Sequence, residues 1–382
     1  MVESAVGSPG LAIGSWSVLP TTKRPAVSTV DAPPSLWFAS RVWWCGGRRR
    51  VRLHVAALAV ALVPAAALAA PAPIPSIFDP LSRPADEIYT LSLLVLGICA
   101  AIFVLVGGLL VVSIVRFRRR PDDDGIEPPQ VYGSNRLELA WTVIPLLIVF
   151  VLFLVTTRTL IAVENAVPPA DALEVRVIGH QWWWEFRYPA QGVVTANELH
   201  VPLGRATFLT LESADVVHSF WIPQLNGKTD VIPNRHNRMW IEPREAGLYH
   251  GQCAEYCGTQ HARMLLRVIA HPPDEFDAWA RAQRAPAVAD AGVQAGRDVF
   301  QSTACINCHR IDGTVADGVF GPDLTHLMSR ETIAAGAAPN TPAALRDWIA
   351  NPNAVKPGAL MPAMQLGPAE LDQVVAYLTT LK

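Results

Sequence analysis

Gly251-Gln252-Cys253-Ala254-Glu255-Tyr256-Cys257-Gly258-Thr259-Gln260-His261-Ala262-Arg263-Met264 gathers two thiols, an imidazole and a thioether into one short segment. A second imidazole, His218, lies upstream in Asp215-Val216-Val217-His218-Ser219-Phe220. Soft thiolate and thioether ligands favour copper, and imidazole suits it too. A structural zinc site draws on the same cysteines and histidines, but zinc gains nothing from a methionine three residues past its histidine. A disulfide between Cys253 and Cys257 is the third reading. Ligand softness and spacing favour copper over both. The flanking sequence has β texture. Leu173-Glu174-Val175-Arg176-Val177 alternates with period two, Phe208 to Glu212 does so less cleanly, and Met264 to Ile269 does so in part. Pro223, Asn226-Gly227 and Pro233-Asn234 punctuate these runs. The pattern predicts a β-sandwich or barrel over residues 166–283.

The segment resembles the dicopper (CuA) motif of cytochrome c oxidase subunit II. The resemblance implies a cupredoxin-like barrel in which Cys253 and Cys257 bridge two coppers, His218 and His261 each bind one, and Met264 and the Glu255 carbonyl complete the set. It also implies that the Glu255 side chain binds a magnesium ion shared with the large subunit. Gly179-His180-Gln181-Trp182-Trp183-Trp184 resembles the family's aromatic segment, with Trp183 where tyrosine is common. Trp182 is then the residue through which electrons arrive. A strand alternates faces, so one or two of these tryptophans also serve the core. Glu138, in Glu138-Leu139-Ala140-Trp141, resembles the family's glutamate at the mouth of a proton channel. Its alternative role is an acid stabilising a helix N-terminus.

Cys305-Ile306-Asn307-Cys308-His309 reads as a c-type haem attachment site, both cysteines binding the haem covalently and His309 the iron. A zinc or redox Cys-x-x-C is the alternative. The adjoining histidine, Gly321-Pro322-Asp323-Leu324 and a helical ending favour haem. That ending is the stripe Leu371, Val374, Val375, Leu378 behind Pro368 at a first helical position. Residues 284–382, opening on an Ala/Pro-rich linker, resemble a small all-α class I cytochrome c. There a carbonyl like that of Pro322 takes the hydrogen bond of the ligand histidine. The sixth iron ligand is expected to be Met361, in Lys356-Pro357-Gly358-Ala359-Leu360-Met361-Pro362, ahead of Met364, Met328 and His326.

Apolar residues make up 51% of the chain and charged residues 17%, a balance that places part of it in lipid. No charge interrupts Leu91–Val115 or Leu139–Thr157, which predicts a transmembrane hairpin within residues 71–165, with spans at about 91–115 and 139–160. Arg116, Arg118, Arg119, Arg120 and Arg136 lie between the spans, so the connecting loop is cytoplasmic and both ends lie outside. Arg48–Arg52, the apolar run Val55–Ala70 and Ala67-Leu68-Ala69 read as a secretory signal within residues 1–70. A signal that opens at residue 48 implies a translation start downstream of residue 1. The net charge of −2 offers no basic field for nucleic acid.

The whole chain thus resembles subunit II of a caa-type oxidase, a multidomain membrane protein of hairpin, cupredoxin-like barrel and cytochrome. The resemblance implies a place in the bacterial inner membrane with both cofactor domains periplasmic, and partnership with subunit I and subunit III. Electrons from a cytochrome c or another respiratory donor would pass the haem and then the copper. Oxygen would become water in the large subunit, with proton pumping. Two rivals remain: the small subunit of a copper-containing nitric oxide reductase, and a copper-delivery protein, for which six closed ligands are ill suited. A quinol oxidase subunit normally lacks these copper ligands.

Overall fold

The computed structural model describes residues 75–119, 125, 127, 129–130, 132–164, 166–287 and 291–382; the expected leader and translation start, within residues 1–70, lie outside the described residues. Two long helices come first, α1 (Arg83–Arg116) and α2 (Asn135–Glu164), each apolar and long enough to cross a bilayer. Both overrun the expected spans. A charge-free window stops at the first ionisable residue. A helix does not, because Arg83, Asp86, Arg136 and Glu138 can reach water at the membrane boundary while the backbone bonds continue. Pro84, Ala85 and Thr159 are the buried side chains described in these helices, all near one end of the hairpin. The apolar remainder, Phe103, Leu109 and Phe153 among it, is exposed.

That buried end is fastened to a β domain. Its strands are β1 (Leu173–His180), β2 (Trp183–Tyr188), β3 (Val193–Ala196), β4 (Glu198–Pro202), β5 (Thr207–Ser213), β6 (His218–Trp221), β7 (Thr229–Val231), β8 (Asn237–Ile241), β9 (Gly247–Cys253) and β10 (Leu265–His271). They form two five-stranded sheets, ordered β3-β2-β1-β5-β8 and β4-β10-β9-β6-β7. The pairs β1/β5 and β4/β10 are parallel and the rest antiparallel. Leu173, Val175, Val177, Leu209 and Leu211 face inward from one sheet, and Leu199, Val201, Phe220, Leu266 and Val268 from the other. Each such side chain stabilises the fold by roughly 1.5–3 kcal/mol. The predicted period-two stretches are these inward faces. Trp240 Nε1 donates to the Val163 carbonyl at 2.9 Å, Glu242 N–H to Ser82 Oγ at 2.9 Å, and Arg244 pairs with Asp86 at 2.7 Å. The domain is therefore seated directly on the helix ends.

A short helix, α3 (Pro273–Gln283), follows β10 and leads to the C-terminal domain. There α4 (Gln294–Ser302), the turn α5 (Cys305–Cys308), a minimal ribbon of β11 (Thr332–Ile333) and β12 (Ala338–Pro339), α6 (Pro342–Ala350), α7 (Pro352–Val355) and α8 (Pro368–Leu378) follow in order. Phe300 of α4 meets Tyr377 of α8 edge to face at 5.9 Å. Leu371, Val374, Val375 and Leu378 are all buried, as their spacing predicts. The two domains share a small apolar cluster of Trp183, Ala196 and Ala335, flanked by an ion pair between Arg267 and Glu331.

Candidate metal and cofactor sites

β6 and β9 hydrogen-bond side by side, which sets His218 at the start of one beside Cys253 at the end of the other. Cys257 follows on the loop, and a single 3-10 turn presents His261 just before β10. His218, Cys253 and Cys257 are buried with their ligand atoms within 4.8 Å of one another. Cys257 Sγ lies 3.8 Å from Cys253 Sγ, from His261 Nδ1 and from Met264 Sδ, and Cys253 Sγ lies 3.2 Å from the Glu255 carbonyl. The structure thus brings together all six expected copper donors. Both thiols are free, so the disulfide reading does not describe this structure.

Three features fit a metal. His218 Nδ1 is buried without a hydrogen-bond partner. The Cys257 thiol bonds to Cys253, and with His218 brings the Cys253 thiol down to about 3 against the opposing effect of burial. Loss of that first proton makes Cys257 harder to ionise, so the pair sheds one proton readily and holds the second until a cation replaces it. The thioether of Met264, fully buried among them, suits copper better than zinc.

Asp215, three residues before His218, holds this site in place. Its carboxylate accepts His218 Nε2–H at 2.8 Å, Val216 N–H at 2.6 Å and Gln181 N–H at 2.6 Å. Burial opposes its charge, but these bonds outweigh burial and lower its pKa. The carboxylate fixes the tautomer that turns Nδ1 toward the thiols. Asp215→Ala should weaken copper binding about 10- to 100-fold, and Asp215→Asn should restore much of it, because its amide oxygen still accepts from Nε2. Competition against a chelator of known affinity measures both.

The tryptophans divide as strand alternation requires. Trp184 is fully buried and meets Phe220 edge to face at 5.1 Å; Trp183 stacks on His180 at 4.2 Å. Trp182, just before β2, is partly exposed to a cavity, and its Nε1 donates to the Cys257 carbonyl at 3.0 Å beside Gln181 Nε2 at 2.8 Å. That cavity, about 300 Å³, is also lined by Cys305, Cys308, His309, Met361 and Met364. His309 Nδ1 donates to the Pro322 carbonyl at 2.8 Å, the expected bond. Burial keeps the His309 pKa low, hence the imidazole neutral and ready to ligate. A methyl group on Gly321 would stand 2.6 Å from the ring, so only glycine lets this loop close on the histidine. Arg330, which no sequence motif marks, lines the same cavity with its Nε buried and unpartnered, which fits the carboxylates of a haem. Met328 and His326 are not among the lining residues; His326 Nδ1 instead donates to the Lys382 carbonyl at 2.7 Å.

Glu138 stands exposed in the first turn of α2. The Glu255 side chain turns outward, 3.8 Å from Lys228 Nζ, while its carbonyl faces the thiols.

Residues 77–158 match the family described as cytochrome c oxidase subunit II, transmembrane domain. Residues 192–270 match cytochrome c oxidase subunit II, periplasmic domain, and residues 293–382 match cytochrome c. Cytochrome c oxidase subunit 2 of Alkalihalophilus pseudofirmus is 36% identical over 80% of this chain and 90% of its own length. That of Bacillus sp. strain PS3 is 34% identical over 81% and 92%. Among solved structures, the periplasmic domain of subunit II of the Bradyrhizobium japonicum cytochrome oxidase is 30% identical, covering 31% of this chain and 97% of its own, at a TM-score of 0.30.

Proposed function

The chain belongs to the cytochrome c oxidase subunit II family, and from that premise we propose that electrons enter a terminal oxidase through it, with Trp182 on their way between its two cofactor sites. As a subunit of a haem–copper oxidase it is anchored in the membrane by its two helices, with the copper-binding domain outside. Bound at these sites, copper and haem supply reversible one-electron chemistry. In this proposal Cys253, Cys257, His218, His261, Met264 and the Glu255 carbonyl hold the copper pair. Cys305 and Cys308 bind haem covalently, and His309 and Met361 its iron. The donor is a cytochrome c or a similar carrier on the periplasmic side of a bacterial inner membrane. Oxygen is reduced in subunit I, with subunit III alongside and proton pumping as the outcome. Glu138 serves a proton channel from the loop side, and the outward Glu255 carboxylate meets magnesium at the large-subunit surface. The burial of His218, Cys253, Cys257 and Met264 supports permanent ligation rather than copper delivery.

One observation carries the electron-transfer reading. Trp182 forms part of the wall of the cavity that Cys305, Cys308 and His309 line, and it is hydrogen-bonded to the main chain of Cys257. Trp182→Phe keeps the wall and deletes that bond. It should slow electron arrival at copper by roughly tenfold with copper and haem content unchanged. Transient absorption after rapid reduction of the haem reads the rate. A wild-type rate would place the route elsewhere.

A further inference from the structure

Two buried charges cross between the β domain and the cytochrome domain, and neither has a part in copper or haem ligation. Lys356 is 4% exposed, and its Nζ donates to the Trp182 carbonyl at 2.9 Å and the Ala334 carbonyl at 3.3 Å. Glu198 of β4 is 1% exposed. Its carboxylate accepts Glu331 N–H at 3.0 and 3.2 Å, Thr332 N–H at 3.1 Å and the Thr332 hydroxyl at 3.2 Å. Lys356 is satisfied by carbonyls on both sides of the contact, and Glu198 by groups wholly across it. Burial, reinforced by the positive charge of Arg263, brings Lys356 down to about 8, so holding an ammonium there is costly. A buried charge is tolerated only where its bonds are made in full, which gives such contacts the power to set register.

The chain between the two anchors is built for the same contact. Ala334 and Ala335 adopt φ of 54° and 57°, a left-handed conformation that alanine rarely takes. Such backbone persists where its surroundings over-determine it. Here it lays Ala335 on Trp183, with the Ala334 carbonyl held by Lys356. On the far side, Gly358, at φ 89°, comes so near that a methyl group there would stand 2.8 Å from Thr259 Cγ2, on the loop between Cys257 and His261.

We propose that Lys356 and Glu198 are positioning residues, a reciprocal pair of anchors that holds the Trp182 main chain against the haem cavity and so sets the rate of electron passage between the domains. The proposal rests on the reading that Trp182 lies on the electron route. It is tested in the intact oxidase complex. Lys356→Met keeps the apolar stem and removes the ammonium. Copper and haem spectra should be unchanged, and reduction of the haem by an external dye should keep its rate. Transfer from haem to copper should fall at least tenfold. Hydrogen exchange at the Glu331 and Thr332 amides, which Lys356 does not touch, should accelerate at least tenfold. Reciprocally, Glu198→Gln should accelerate exchange across residues 355–361. If either variant loses haem or copper, Gly358→Ala decides the matter: it leaves both charges in place and wedges a methyl against Thr259, and it should reproduce the loss of transfer and the faster exchange at 331–332. Exchange that stays local to the substituted residue overturns the proposal, as does transfer at the wild-type rate. Slow transfer in Trp182→Phe with normal transfer in Lys356→Met overturns the positioning alone. Normal transfer in both overturns the Trp182 route as well.

Discussion

Replacing Cys253 with serine should abolish copper binding in the β domain and leave the haem in place. Cys253 is the thiol most readily ionised in the cluster, and it approaches both Cys257 and the Glu255 carbonyl. A serine hydroxyl is a hard ligand that stays protonated, so the position that would hold copper loses both charge and softness. Closed thiolate sites bind metal with ~10–16 kcal/mol, or ~3 kcal/mol per ligand, and a thiolate that would be shared by two coppers counts twice, so the expected loss is on the order of 10⁴-fold in affinity. Copper analysis of the purified protein should fall from two per chain to none, with the mixed-valence spectrum gone. The haem residues lie in another domain with its own core, so the haem band should persist. Zinc taken up by the wild-type protein in preference to copper would sink the assignment.

Met361→Ala should remove the weak methionine-to-iron absorption band and lower the haem potential by on the order of 100 mV, a fraction of the ~0.8 V range that axial ligation commands. Haem should remain covalently bound through Cys305 and Cys308. Met361 and Met364 both line the cavity, but Met361 also packs against the core of the cytochrome domain, whereas Met364 is not part of that packing. A side chain braced in this way is better placed to hold an iron bond. Survival of the band in Met361→Ala together with its loss in Met364→Ala would transfer the ligand role three residues along.

The features legible in the sequence are those written locally. Cys253 to Met264 and Cys305 to His309 gather their candidate ligands within one turn or loop, so spacing and residue type point to them and the family resemblance completes the expected copper set. Strand alternation in β1 and the stripe of α8 are equally local. His218 is within reach because its chemistry matches the motif, although only the pairing of β6 with β9 puts it there. Asp215 carries no such signal: an acid three residues before a histidine is common, and of its three hydrogen bonds the one from Gln181 forms only once β6 and the Gln181 turn meet. Lys356, Glu198 and Arg330 are invisible for a further reason. Lys356 finds Trp182 across 174 residues of chain, and Glu198 finds Glu331 across 133. No periodicity records such meetings, and a lone Lys, Glu or Arg reads as solvated surface until the fold buries it. The helix ends escape a charge-based reading for the opposite reason, since charge marks the edge of the bilayer and not the end of a helix.

The bonds from Ser82, Asp86 and Val163 to β8 and the segment after it couple the rotation of the helices to the bearing of the β domain. Each residue added within a helix turns everything beyond it by about 100° and lifts it by about 1.5 Å. An insertion inside α1 or α2 would therefore turn the part of the helix beyond it against the part held by Ser82, Asp86 or Val163, and the faces that the two helices turn toward each other would lose register. The hairpin acts as a keyed shaft: the bearing of the β domain over the helix ends is written in the angular phase at which Ser82 and Asp86 leave α1 and Val163 leaves α2.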